Sequence, residues 1–222
     1  MSTTSTEEYL LAIYRLQGAD STASTTDLAA HLSVAPASVT GMVRRLKHQG
    51  LVEHRPYRGV TLTPPGRRAA LRLIRAHRLW ELFLVRVLRM PWDEVHAEAH
   101  RLEHALSDRL ADRLAAFLND PEYDPHGQPI PSPDGGLPAR VAVSLSDVEA
   151  GRSVVLLEVP DGDAELLRYL GDLHVVPGAQ LEVVAVGPFG GPLTVQVGDA
   201  RHALARELAR QLLVTYPTEN TH

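Results

Sequence analysis

Between Thr26 and Thr63 the chain changes its hydrophobic period from helical to alternating, and that change restricts the fold more than any other feature. Thr26–Leu32 reads as a short helix with Leu28, Ala29 and Leu32 on one side. A turn follows, and Pro36 opens a second helix that ends near Gly50, carrying Val39, Met42, Val43 and Leu46 at helical spacing. Proline suits a first helical turn because its missing N–H has no partner to lose there. Two β-rich runs come next, residues 51–54 and 60–63, joined by Arg55-Pro56-Tyr57-Arg58-Gly59 as a hairpin tip. A helix over residues 7–17, with Leu10, Ile13, Tyr14 and Leu16 inward, precedes the set. Helix, helix, turn, longer helix and two-stranded hairpin is the order of a winged helix-turn-helix.

Charge agrees with a polyanion-binding module at this end. Residues 1–78 hold 11 of the 22 Lys+Arg but only five of the 27 Asp+Glu, although the whole chain carries a net charge of −5. The small residues Ala37, Ser38, Thr40 and Gly41 at the front of the second helix, after Pro36, permit close approach to a major-groove floor. Arg44, Arg45 and Lys47 lie further along and reach phosphates, while Tyr57 and Arg58 at the wing tip reach a flanking backbone or minor groove. Thr26, at the start of the preceding helix, completes the expected DNA-contacting set.

The 222 residues leave room for more than this module. A long helix is expected from about Arg67 to Arg89, after the Pro65-Gly66 break, then helices over 92–106 and 107–118. Residues 119–138 contain six prolines and read as an extended loop or linker. Runs at 154–159, 181–186, 193–197 and 212–214, with a helical DAELLRYL inserted, have the pattern of a small SH3-like β-barrel. The expected organisation is mainly α with small β parts, in three domains spanning 1–65, 66–138 and 139–222. The start lacks the basic and long apolar stretches of a signal peptide, and no segment approaches the roughly 20 apolar residues of a membrane helix. The expectation is a soluble, cytoplasmic protein.

The middle of the chain points to a metal. No cysteine is present, which excludes thiolate zinc sites, iron–sulfur clusters, disulfides and a cysteine nucleophile. His77 and Glu81 stand four apart on one helix, and His96, His100, Glu103 and His104 follow on the next. On a continuous helix those four span an arc of roughly 100°, beside the apolar stripe of Val95, Ala99, Leu102 and Leu106. Imidazoles one turn apart with carboxylates suit a divalent first-row ion. The alternative for the helix alone is a polar flank, and HxxxH recurs by chance among eleven histidines. The spacing is not HExxH, so a zinc-protease base is missing. Glu8 has two explanations: a capping box begun at Ser5, or a metal ligand delivered by the first helix.

With TEEYLLAIY at the start, VAPASVTGMVRRLKHQGLVEHRPYRGVTLTPPG in the reader, HRLWELFL, HAEAHRLEHALSD, the loop His126–Pro131 and LLRYLGDLHVVPGAQLEVV, the sequence resembles the diphtheria-toxin-repressor family of metal-dependent transcriptional repressors. The resemblance covers essentially the whole chain. It implies a homodimer binding a palindromic operator, a carboxy-terminal FeoA-like domain and two metal sites. The primary site would use Glu8, His100, Glu103 and His104; the ancillary site would use His77, Glu81 and His96. Asp161, Asp163 or Glu165 would add a ligand from the SH3-like domain. Iron-type members carry Met and Cys where this chain has Glu8 and His100. Manganese-type members carry carboxylates at both, and an acid at the position of Leu11. The mixed pattern implies Mn(II) as co-repressor, with Fe(II) next and other divalent first-row ions able to bind.

Two other functions remain open from sequence alone. A winged-helix regulator sensing an organic ligand would bind DNA whether or not metal is removed. A metal-dependent hydrolase would leave the basic reader unexplained, and no nucleophile motif is present; the expectation is a protein that is not an enzyme.

Overall fold

The computed structural model describes residues 3–17, 22–55 and 58–217, with side chains from residue 6 onward. Two compact units emerge. The first takes the described residues up to His77, then Leu102–Arg113 and Pro131–Leu137; the second takes Arg78–Arg101, Leu114–Ile130 and the described residues from Pro138 onward.

In the first unit, α1 (Thr3–Leu16), α2 (Thr25–His31) and α3 (Pro36–His48) precede the hairpin of β1 (Val52–Arg55) and β2 (Gly59–Leu62). Leu10, Ile13, Leu28, Val39, Val43, Leu46, Val52 and Val60 form one buried cluster, so the period change in the sequence does build a shared core. Ser24 caps α2 by accepting the N–H of Asp27 at 2.9 Å, and Pro36 occupies the first turn of α3 as expected. The wing pairs Val52 with Leu62 and Arg55 with Gly59, and Ala23 bridges to Val60 as a partial third strand. Gly59 has φ +98°, and a Cβ there would stand 2.6 Å from the carbonyl oxygen of Ala23, so the hairpin closes only on glycine.

Several boundaries differ from the sequence expectation. Residues 3–5 are already helical, so Ser5 lies inside α1 and not at the N-cap position expected for it. The long helix α4 spans Pro64–Arg86; Pro65 and Gly66 sit in its first turn, with Thr63 Oγ1 accepting the N–H of Gly66 at 3.2 Å. The next helix, α5, covers only Val95–Leu102, and Glu103–Ala105 tightens into a 3-10 turn before α6 (Asp108–Phe117).

In the second unit, Leu84, Val95 and Ala99 pack with Trp80, Val85 and Met90. The carboxy-terminal part contains β3 (Val143–Ser144), β4 (Arg152–Glu158), α7 (Ala164–Asp172), β5 (Gln180–Val186), β6 (Leu193–Val197), β7 (Ala200–Leu204), α8 (Arg206–Gln211) and β8 (Leu213–Thr215). Its six strands pair antiparallel in the order β3-β8-β4-β5-β6-β7. Val154, Leu156, Leu181, Val183, Leu193 and Val195 share a core with Leu167 and Leu170 of α7. The expected SH3-like unit is therefore present, with β3, β7 and α8 added to the elements legible in the sequence. Among the described residues, no helix is long and apolar enough to cross a membrane.

Candidate metal centre and nucleic-acid face

Glu81 lies on α4 with its side chain fully buried. Its Oε1 stands 3.1 Å from His96 Nδ1 on α5, and its Oε2 stands 3.7 Å from His126 Nδ1 in the loop after α6. Asp161, just before α7, brings Oδ2 to 3.6 Å from the same nitrogen of His96. Asp124 is also buried, and each of Glu81, Asp124 and His126 offers a donor atom within 4.8 Å of the others.

The loop holding Asp124 and His126 is built for rigidity. Asp124 Oδ1 accepts the backbone N–H groups of His126 at 2.8 Å and Gln128 at 2.9 Å. Arg78 places Nε 3.5 Å from Asp124 Oδ2 and donates to Gln128 Oε1 at 2.6 Å and to the carbonyl of Pro129. His126 Nε2–H donates to the carbonyl of Trp92 at 2.8 Å, and the two rings stack with centroids 5.6 Å apart. With Nε2–H engaged there, Nδ1 is the ring nitrogen that faces Glu81. Gly127, at φ +82°, runs so close to β4 that a Cβ would stand 1.7 Å from the carbonyl oxygen of Leu157.

The electrostatics describe carboxylates and imidazoles that shift one another's protonation in a buried site. Burial, reinforced by the neighbouring Glu81, pushes Asp124 up to about 7. His96 is raised to about 10 by hydrogen bonding to Asp161 and then to Glu81. Burial opposes protonation of His126, but the Glu81 and Asp124 carboxylates raise it overall. For Asp161, burial works against the lowering that His96 imposes, and His96 prevails.

These residues fit a first-row cation. Donors held about 2.0–2.2 Å from one ion stand roughly 3.0–3.6 Å apart at ordinary ligand angles. The separations of 3.1, 3.6 and 3.7 Å around Glu81 and His96 fall at or near that range. Asp124 Oδ2 and His126 Nδ1 are buried with no hydrogen-bond partner among the described residues. Each such atom costs about 1–3 kcal/mol unless something satisfies it, and a cation satisfies both.

The first unit holds a second group. Glu103, 1% exposed at its side chain, brings Oε2 to 2.5 Å from His77 Nδ1 and Oε1 to 3.5 Å from His104 Nε2. The other nitrogen of His104, Nδ1, donates to Glu7 Oε2 at 2.8 Å. Glu7, Glu103 and His104 line one end of a cavity of about 550 Å³, with Arg72, Arg75 and Asp108 among its other walls.

Of the sequence-based ligand residues, Glu8, Asp163 and Glu165 are not gathered as expected. Glu81 and His96 are brought together, and Asp161 is the SH3-like residue that joins them. Asp163 instead caps α7, accepting the N–H groups of Glu165 and Leu166, and Glu165 is exposed. His77 turns toward Glu103. His100 is exposed on the last turn of α5. Glu8, half-buried on α1, lies in none of the three-residue donor clusters among the described residues. Glu7, Asp124 and His126 were not among the sequence-based ligands. For the last two a signal existed: Asp-Pro-His-Gly is a turn that places a carboxylate and an imidazole two residues apart.

On α3, the residues at positions 36, 37, 38, 40, 44 and 47 are exposed and Arg45 is half-buried, while Val39, Met42, Val43 and Leu46 face the core. Thr40 Oγ1 donates to the carbonyl of Pro36 at 3.1 Å. Thr26 on α2 and Arg58 at the wing are exposed; Tyr57 lies outside the described residues. One face of α3 thus carries small residues followed by cations, the arrangement a major groove accepts.

Comparison with known proteins agrees with this architecture. Residues 1–60 match the iron-dependent repressor N-terminal DNA-binding domain, residues 63–132 the iron-dependent repressor metal-binding and dimerisation domain, and residues 143–216 the FeoA domain. The iron-dependent repressor IdeR of Mycobacterium tuberculosis is 36% identical, covering 94% of this chain and 96% of that protein. The diphtheria toxin repressor of Corynebacterium glutamicum is 31% identical over 91% of this chain and 95% of its own length. A solved manganese-dependent transcriptional repressor in complex with manganese superposes with a TM-score of 0.87, at 38% identity, covering 96% of this chain and all of that one. The chain belongs to the family of iron-dependent repressors that includes the diphtheria toxin repressor.

Proposed function

We propose that this protein is a metal-dependent, DNA-binding transcriptional repressor of metal-ion homeostasis. The observation that carries this is the buried group of Glu81, His96, Asp124, His126 and Asp161, a set of carboxylate and imidazole donors with spacings suited to one ion. The second group, with His77, Glu103 and His104, takes a further ion, and sequence resemblance adds Glu8 and His100 to it. Every donor is oxygen or imidazole nitrogen. That hard set favours Mn(II) as co-repressor, with Fe(II) second, while Co(II) and Zn(II) bind in vitro by their greater general affinity.

A bound ion supplies positive charge among the carboxylates. Glu81 joins α4 to α5 through His96 and to the loop through His126, so the charge balance at one residue governs three segments. On DNA, the small residues of α3 approach base edges, and Arg44, Arg45, Lys47 and Arg58 hold phosphates. Two copies bind a palindromic operator, with Phe83, Val87, Leu88 and Phe117 forming the apolar dimer face; Phe117 is 65% exposed. The proposed domains are 1–65, 66–138 and 139–222, and the protein acts in the cytoplasm as a regulator and not as an enzyme.

The test is fluorescence anisotropy of chelator-stripped protein on a palindrome-enriched DNA pool, with Mn(II) added or withheld. Mn(II)-dependent binding is expected, abolished by EDTA. Equal binding in both conditions would transfer the switch to an organic effector.

A further inference from the structure

We propose that Glu7 is a positioning residue for the metal ligand His104, acting from the opposite edge of the imidazole ring and not by touching the ion. This rests on His104 and Glu103 being metal ligands. Glu7 Oε2 lies 2.8 Å from His104 Nδ1, whereas Glu103 Oε1 lies 3.5 Å from Nε2. The two carboxylates therefore address different nitrogens of one ring.

A carboxylate accepts at this distance, so Nδ1 carries the proton and Nε2 is the nitrogen left for an ion. An Nε2-to-oxygen separation of 3.5 Å is long for a hydrogen bond but ordinary for two donors sharing one ion. Were an ion held at Nε2, Glu7 would be the outer carboxylate that fixes the tautomer and raises the basicity of the ligating nitrogen.

Position gives Glu7 a second consequence. It lies on α1, whose Leu10 and Ile13 share a buried core with Val39, Val43 and Leu46 of α3. Occupancy at His104 Nε2 strengthens the Nδ1–H bond to Glu7, because a metal-bound imidazole is a better donor. The DNA-reading core is thereby tied to the ion through a hydrogen bond. Glu8 stands about 100° further round the same helix, so the two neighbouring carboxylates cannot both meet the same edge of His104.

The test uses full-length protein in a background carrying Glu81→Gln and His96→Ala, which silences the other donor group. Co(II) is titrated by visible absorption into this parent, and into versions further carrying Glu7→Ala, Glu7→Gln or His104→Ala. Glu7→Ala should weaken Co(II) binding by about 10–100-fold, and Glu7→Gln, whose amide oxygen still accepts from Nδ1–H, should restore most of the loss. Long-range proton–nitrogen NMR of the Zn(II)-loaded parent, with histidines ¹⁵N-labelled, should show His104 protonated at Nδ1 and metal-bound at Nε2. Unchanged affinity in Glu7→Ala, or metal at Nδ1, would overturn the positioning role while leaving the site standing. Unchanged affinity in His104→Ala would overturn the metal assignment itself.

Discussion

Replacing Glu81 by Gln should separate metal-dependent from intrinsic stability. Glu81 approaches His96 with one oxygen at 3.1 Å and His126 with the other at 3.7 Å, so the substitution removes the charge both imidazoles face. Without metal, loss of one partner from a buried pair costs up to about 3–5 kcal/mol, and two neighbours moderate it. His96 keeps Asp161, and loss of the Glu81 charge relieves the pressure that holds Asp124 near 7. With metal the effect is larger. A hundredfold loss of affinity, the upper end for a damaged ligand shell, changes the stabilisation at a metal concentration 100 times the wild-type Kd. It falls from about 2.7 to about 0.4 kcal/mol. For a chain of this size the lost 2.3 kcal/mol or so is about 5–9 °C in Tm. Thermal scans in EDTA and in Mn(II) read both arms. An Mn(II)-induced shift as large in Glu81→Gln as in wild type would refute the assignment of this group as the ion's site.

Three further outcomes follow from particular residues. Arg44→Ala should weaken DNA binding across sequences and flatten the salt slope by about one unit, since Arg44 is exposed on the reading face; an unchanged slope in anisotropy titrations removes it from the phosphate contacts. Gly127→Ala should destabilise the protein by about 2–4 kcal/mol, as a positive φ and a collision with Leu157 coincide there; a urea midpoint equal to wild type would contradict the loop geometry. His96 is held at about 10, above its ordinary 6.5. In EDTA its contribution to stability is therefore complete below pH 6.5 and is lost as pH rises through about 10. A Tm series over that window should fall for wild type and stay flatter for His96→Gln.

The reader was legible because local signals and tertiary packing agree there: Pro36 opens α3, and the residues at helical spacing are the ones buried. The carboxy-terminal unit was legible in outline only. β3 has two residues, and β7, Ala200–Leu204, reads Ala-Arg-His-Ala-Leu with a single core residue, so neither announces itself by period. Glu81 and His96 could be nominated from their own helices. Asp161 entered only through the family resemblance and Asp124 not at all, because nothing local says that residues 43 and 80 positions after Glu81 meet it. The six prolines of residues 119–138 suggested a passive linker. Instead, Asp124 accepts two backbone N–H groups and folds that segment into a ligand-bearing turn.

The stripe of His96, His100, Glu103 and His104 is interrupted where its helix ends. A continuous helix through Leu106 would crowd all four into one arc. The chain avoids this because Ser107 Oγ accepts the N–H of Leu110 at 3.3 Å and starts α6, which draws Leu106 into an extended conformation. The last residues of the preceding helix must then close as a 3-10 turn, with the N–H of Leu106 bonded to the carbonyl of Glu103. Three residues per turn instead of 3.6 carry His104 roughly 40° further round from His96, while Glu103 stays near its line. His96 is left facing Glu81 and Asp161, while Glu103 turns to His77 and His104 to Glu7. One sequence stripe thus supplies more than one donor group, and a helix cap, Ser107, sets where its helix gives way to the 3-10 turn.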